Sequence, residues 1–390
     1  MKYTVACLLL LLCYAAHGTA PRTDTGRINL AANEDVLGNR SLVQEPAREK
    51  EFHIRENDTT EYVLQLALDK AGRPLYYFMN IFTPVCYTGE CKPVFINFYW
   101  DLLGNYIRYD LPPKEVLTKL DHKVFKEEDY QKLHDILGNA TSLLADLKIT
   151  DLIVPGTESL TDSVDARTGA TLKTIKNEVI SGAVYTCYTL WHIVHGPVTD
   201  EMNRITETYN SNSLLHRFLS SQNYEYQYWA LDKVMDEKGN IRKGFEADVR
   251  NIIGGKNVFI ARYALQKAEP ALFTGKKAQE WLWKTYNAGT YPLQIAMLKR
   301  MKDIPLQAPL ISGLCAAIAN TNAEQFRLMA ALLQSAPSLP GKAYRQLADH
   351  LSGNGKAADI YRLLQQLKPE DNYVKTKMHD YENASKQTNG

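Results

Sequence analysis

Net charge of either sign is what this chain most conspicuously lacks: 45 Lys and Arg stand against 44 Asp and Glu in 390 residues. No bulk field is available to capture nucleic acid or an anionic membrane, so neither is expected as a partner. Beyond the first twenty residues no apolar run is long enough to span a bilayer. There is no Gly-x-Ser-x-Gly elbow, no phosphate-loop motif and no Gly-x-Gly-x-x-Gly fingerprint, which argues against a self-contained hydrolase or nicotinamide dehydrogenase. Cysteine is scarce as well. Of six, two fall within the first thirteen residues, leaving Cys86, Cys91, Cys187 and Cys315. That set contains no second closely spaced pair to complete a zinc or iron–sulfur centre, and no Cys-x-x-Cys-His for haem.

What is present begins with a compartment signal. Lys2, the apolar run over 3–16 and the small residues Ala16 and Gly18 have the layout of a cleaved secretory signal peptide, expected over 1–18. The mature protein is then expected outside the cytosol, periplasmic or secreted, without a transmembrane segment. Residues 19–59 are polar, with few aromatics and no sustained periodicity, and read as a leader.

Asp165, Thr168, Gly169, Ala170 and Thr171 form the most distinctive run. Gly169 and Ala170 offer little side-chain bulk, so a phosphate or a flat ring could approach the backbone closely. Apolar residues at 175, 179, 180, 183, 184, 187, 190, 191 and 194 recur at three- and four-residue steps, predicting an amphipathic helix over 172–194 that starts at the threonine. A helix N-terminus at that point would suit a phosphate, and Lys173 and Lys176 would add positive charge. A simple capped turn before an ordinary helix is the alternative reading of the same residues.

The run fits Asp-x-x-(Ser/Thr)-Gly-Ala-Thr and so resembles the attachment motif of the FMN-binding domain family, found in flavin subunits of sodium-pumping NADH:quinone reductase and Rnf-type complexes. The resemblance implies FMN held covalently on Thr171 through a phosphoester. Asp165, Thr168, Gly169 and Ala170 would form the loop recognised by a separate flavin transferase. It also implies an electron carrier, not a self-contained catalyst, with another redox protein as donor or acceptor.

The surrounding pattern agrees with an α+β FMN-binding-like domain over 60–196. Strands are predicted over 62–68, 75–81, 93–100 and 106–111, the last two forming a hairpin around a Gly-containing turn at 101–105. A charged helix is expected over 121–134; His122 and His134 lack the spacing of a helical metal pair, and no metal site is expected.

From 197 to 370 the texture is helical and repetitive. Breaks near Asn223, Asn257, Thr290, Asn322 and Gly355 recur about every 33 residues, which predicts stacked helical hairpins of a HEAT-like, all-α repeat domain. The expected second helices run over 224–234, 258–267, 291–300, 323–334 and 356–366, and a polar tail over 371–390. A non-repetitive bundle is the alternative.

Three further features stay open at this level. Cys86 and Cys91 flank a glycine turn and are expected either as a structural disulfide or as a redox-active dithiol. Tyr185, Tyr188 and Trp191 lie at three-residue steps, as a core stripe or as a platform for a flavin. The whole is either a flavin carrier or an interaction scaffold whose helical array holds a partner; a thiol oxidoreductase built on Cys86 and Cys91 ranks behind both.

Overall fold

Alternating strand sequences and capped helices separate cleanly along the chain. The computed structural model describes residues 46–55, 61–85, 92–119, 122–152, 175–352 and 355–388. The chain divides into two compact units, with the boundary between Arg204 and Ile205.

The first unit is built on a five-stranded antiparallel meander: β1 (Arg48–Arg55), β2 (Glu61–Leu68), β3 (Pro74–Thr83), β4 (Val94–Trp100) and β5 (Tyr106–Asp110), paired in that order. Period-two alternation places Leu66 opposite Tyr77, Met79 opposite Phe98, Ile81 opposite Ile96 and Phe98 opposite Tyr109, all buried on one face. The β4–β5 turn is an Asx turn: Asp101 Oδ1 accepts from Leu103 N at 2.8 Å and Asn105 N at 3.0 Å, and Gly104 supplies φ +79°.

Helices α1 (Glu127–Gly138), α2 (Val184–Val194) and the first residues of α3 (Val198–Thr208) cover the apolar face. The strands' own aromatic tips make the joints. Trp100 Nε1 donates to Val194 O at 2.9 Å, Tyr77 Oη to Met202 O at 3.1 Å, and Tyr109 Oη to Tyr130 O at 2.9 Å. Each ring is buried yet keeps its polar atom satisfied, the condition under which a core tolerates Tyr and Trp.

Three expectations are corrected here. The stretch read as the end of a polar leader is β1, paired with β2 from Arg48↔Leu68 to Arg55↔Glu61. It is an edge strand exposed along most of both faces, held by backbone pairing and not by apolar alternation. The charged helix begins at Glu127, where Asp129 Oδ2 accepts from Lys126 N, and runs on to Gly138 because Ile136 and Leu137 are buried. Of the helix expected over 172–194, residues 172–174 lie outside the described residues, and the described part becomes α-helical only at Val184. Gly182 has φ +78°, a left-handed conformation no regular helix contains, so the apolar spacing of Ile175, Val179 and Ile180 reflects burial in a turned segment.

The second unit is all helical: α4 (Asn212–Leu219), α5 (Tyr224–Val234), α6 (Glu246–Ile253), α7 (Val258–Lys267), α8 (Lys276–Ala288), α9 (Tyr291–Met301), α10 (Ala308–Ala317), α11 (Ala323–Ser335), α12 (Gly341–Asp349), α13 (Ala357–Leu367) and α14 (Asn372–Thr388). Consecutive helices pair as α4–α5, α6–α7, α8–α9, α10–α11 and α12–α13. The second members also touch one another in series, α5 to α7 to α9 to α11 to α13. The first turns of α5, α7 and α11 share a device. Asn223 Oδ1 accepts from Glu225 N, Asn257 Oδ1 from Phe259 N, and Asn322 Oδ1 from Gln325 N. Seven and eight residues beyond Asn223, Asn257 and Thr290 lie buried pairs: Ala230 and Leu231, Ala264 and Leu265, Met297 and Leu298.

The expected polar tail is another correction. Residues from Asn372 form α14, which packs on α12 through fully buried Val374, while Arg345 pairs with Asp371 at 2.8 Å. Farther along α14 the Tyr381 ring packs on Tyr361, with centroids 5.1 Å apart.

Candidate functional site

Thr171, Asp165, Thr168, Gly169 and Ala170 lie outside the described residues, as do Cys86 and Cys91. What the structure describes is the frame on either side of them. The described residues on either side of the motif segment are Leu152, which is fully buried, and Ile175, which is 1% exposed.

That frame is cross-linked by polar atoms. Glu178, seven residues beyond Thr171, accepts from Ser142 Oγ and from Leu143 N at 2.9 Å. The aromatic stripe of α2 then holds the segment after α1 through its carbonyls. His195 Nε2 bonds Leu137 O at 2.8 Å, and Trp191 Nε1 donates to Asn139 O at 2.9 Å. His192 Nε2 bonds Leu144 O at 3.1 Å, and Tyr188 Oη donates to Leu147 O at 3.0 Å. The last carbonyls of a helix have no partner within it, and here side chains of a second helix supply the donors. Of the two readings of the stripe, the structure carries the first: Tyr185 and Trp191 are buried, and Tyr188 and Trp191 spend their polar atoms on backbone.

The histidines of this frame are held neutral. Burial depresses the pKa of His134, His192 and His195 below the ordinary value of 6.5. A neutral imidazole carries one N–H, and a carbonyl partner assigns it to Nε2 in His192 and His195. His134 Nδ1 instead faces Tyr106 Oη at 2.9 Å. Among the described residues no group of His, Cys, Asp and Glu could hold a metal ion.

Between α1 and the returning segment lies a cavity of about 300 Å³, lined by Lys132, Asp135, Ile136, Asn139, Ser142, Asn177 and Glu178. It offers cationic and amide donors and a carboxylate acceptor, with one apolar wall. None of these residues stands out in sequence, because they come from two segments some forty residues apart with no local pattern joining them. Cys187, on α2, is buried and its Sγ accepts from Ile180 N at 3.3 Å, a structural role. Cys315 is also buried, and its thiol is pushed up to about 12 by loss of solvent.

No protein-family model, no curated protein and no solved structure matches the chain. No helix among the described residues is long and apolar enough to cross a membrane.

Proposed function

We propose that this chain is an extracytosolic flavoprotein that carries electrons on FMN joined covalently to Thr171 by a separate flavin transferase. The observation that carries the proposal is the complete Asp-x-x-Thr-Gly-Ala-Thr run at 165–171. Supporting it, the described residues that flank the run, Leu152 and Ile175, are both buried in the core of the first unit. FMN, when attached, supplies the redox chemistry; the chain supplies position and electrostatics.

The residues beside the motif fit such a group. Asn177 lies six residues beyond Thr171, a span of at most about 20 Å of extended chain. The cavity it helps to line has donors in Lys132 and the Asn177 amide and an acceptor in Asp135, which suits ribityl hydroxyls or the polar edge of a flavin ring. Lys132 would also favour a reduced, anionic ring. Because the α2 helix starts at Val184, thirteen residues past Thr171, its dipole is no part of this site. A covalent phosphoester makes that unnecessary for retention.

Co-expression with a flavin transferase followed by denaturing electrophoresis tests the proposal. A band fluorescing as flavin at the chain's position supports it, and a dark band beside a fluorescent positive control rejects it. A second reading, an interaction scaffold of HEAT-like helical repeats, is favoured by the groove described next.

A further inference from the structure

The serial contacts α5–α7 and α7–α9 invite a position-by-position comparison, because each helix starts from a cap at the same register: Asn223, Asn257 and Thr290. Five residues past its cap α5 carries Tyr228, and six past its own α7 carries Tyr263; the two rings meet edge to face with centroids 4.9 Å apart. Nine residues past its cap α5 carries Asp232, and ten past its own α7 carries Lys267, which ion-pair. Tyr263 Oη also donates to Asp232. The α5–α7 seam is thus filled by rings and neutralised by its own charges.

At the α7–α9 seam every one of those four positions is changed. Arg262 stands in the place of Tyr228, Ala296 in that of Tyr263, Gln266 in that of Asp232 and Arg300 in that of Lys267. Loss of the two rings opens a groove of about 400 Å³. Loss of the aspartate leaves its cations without the matching acid. Arg300 turns to Asp303 at 3.2 Å, and its Nε is buried with no hydrogen-bond partner. Arg262 and Lys299 make no ion pair among the described residues. Glu324, whose charge Lys299 also feels, is held by Arg327 through two bonds. The floor toward the start of α9 is apolar: Tyr291, 48% exposed, with Pro292 and Ile295.

We infer that the α7–α9 groove binds an extended acidic peptide segment of a partner protein, a carboxylate against Arg262 and Lys299 and an apolar residue against Tyr291, Pro292 and Ile295. The charge pattern selects the occupant. Three cations line the groove against one carboxylate, already engaged, so an incoming acid gains attraction that the lining's own charges leave uncompensated. A nucleic acid would need a longer basic track, and the adjoining face of α5 carries Glu225 and Asp232. Because the groove lies wholly in the helical unit, the inference is independent of flavin attachment.

The test is selection of displayed random twelve-residue peptides on the full chain, in parallel with the double variant Arg262→Glu, Lys299→Glu. Both side chains are exposed, so the variant should melt with the wild type, which circular dichroism checks. The expected result is enrichment of peptides rich in Asp and Glu around an aromatic or aliphatic residue. A synthetic copy of an enriched peptide should then lose about tenfold or more in affinity for the variant. A third variant, Ile295→Asp, should weaken the same peptide with both cations retained. No enrichment, enrichment of basic or neutral peptides, the same acidic peptides selected on the charge-reversed chain, or tight binding of an oligothymidylate in their place would each overturn the inference.

Discussion

Trp191 Nε1 donates to the carbonyl of Asn139 at 2.9 Å, across more than fifty residues of sequence, and closes the open end of α1 with a side chain of α2. With His195 on Leu137 and His192 on Leu144, it fixes the loop that carries one wall of the cavity beside the motif segment. Trp191→Phe keeps a ring and removes the donor. We expect a loss of about 1–3 kcal/mol, the cost of leaving a part-buried carbonyl unpaired plus some lost packing. Urea denaturation followed by far-ultraviolet circular dichroism measures it; an unchanged midpoint would show that this bond contributes nothing.

The same histidines predict an acid sensitivity of the first unit. Burial lowers the pKa of His134, His192 and His195, so below 6.5 the unfolded chain takes up protons that the folded chain refuses. Their contribution is therefore fully present above pH 7 and is lost progressively as pH falls from about 6.5 toward the depressed folded values. Denaturation midpoints at pH 7.5 and 5.5 should differ in that direction, and the difference should shrink in His192→Gln. A chain equally stable at both values would contradict the assignment.

Thiol chemistry offers a third expectation. Thr83 and Val94 are paired at the ends of β3 and β4, so Cys86 and Cys91, each three residues beyond a paired end, lie on a connection whose two ends are neighbours. In an oxidising compartment these two are expected as a disulfide. In protein produced without residues 1–18, Ellman titration of the native state should find almost no reactive thiol, since Cys187 and Cys315 are buried. Denaturation should release those two, and only added reductant the other pair. Four thiols in denatured, unreduced protein would reject the disulfide.

Gly239 marks the tightest backbone approach in the helical unit. Its φ is +82°, and a Cβ there would run into the carbonyl of Lys267 at the end of α7, while Glu269 N donates to Gly239 O at 2.9 Å. Gly239→Ala combines a left-handed conformation with a clash against backbone that cannot rotate away. A loss of about 2 kcal/mol or more is expected in thermal denaturation, larger than that of Gly244→Ala, where φ is also positive but the space is open, as the control for backbone strain alone.

How much of this could be read in advance depends on where each element's stability comes from. Helices α5, α7 and α11 start where the side chains of Asn223, Asn257 and Asn322 cap them, and α9 and α13 start after Thr290 and Lys356 on their apolar repeat alone, so local signals specify both end and face. Strand β1 was hidden because an edge strand needs only its neighbour's backbone, and Glu49, Lys50 and Glu51 face solvent. The start of α2 was misplaced because Ile175, Val179 and Ile180 are spaced like a helix face yet buried in turns around Gly182. The cavity was invisible, since Lys132 and Asn177 meet only in the fold.

The most direct test of the central claim is peptide-level mass spectrometry on secreted protein from the native host, or on protein co-expressed with a flavin transferase. The account predicts that the peptide containing Asp165, Thr168, Gly169, Ala170 and Thr171 is heavier by one FMN less one water, with the added mass on Thr171 and absent in Thr171→Ala. An unmodified peptide, recovered alongside a flavinylated positive control, would contradict it and leave the helical unit's groove as the chain's working surface.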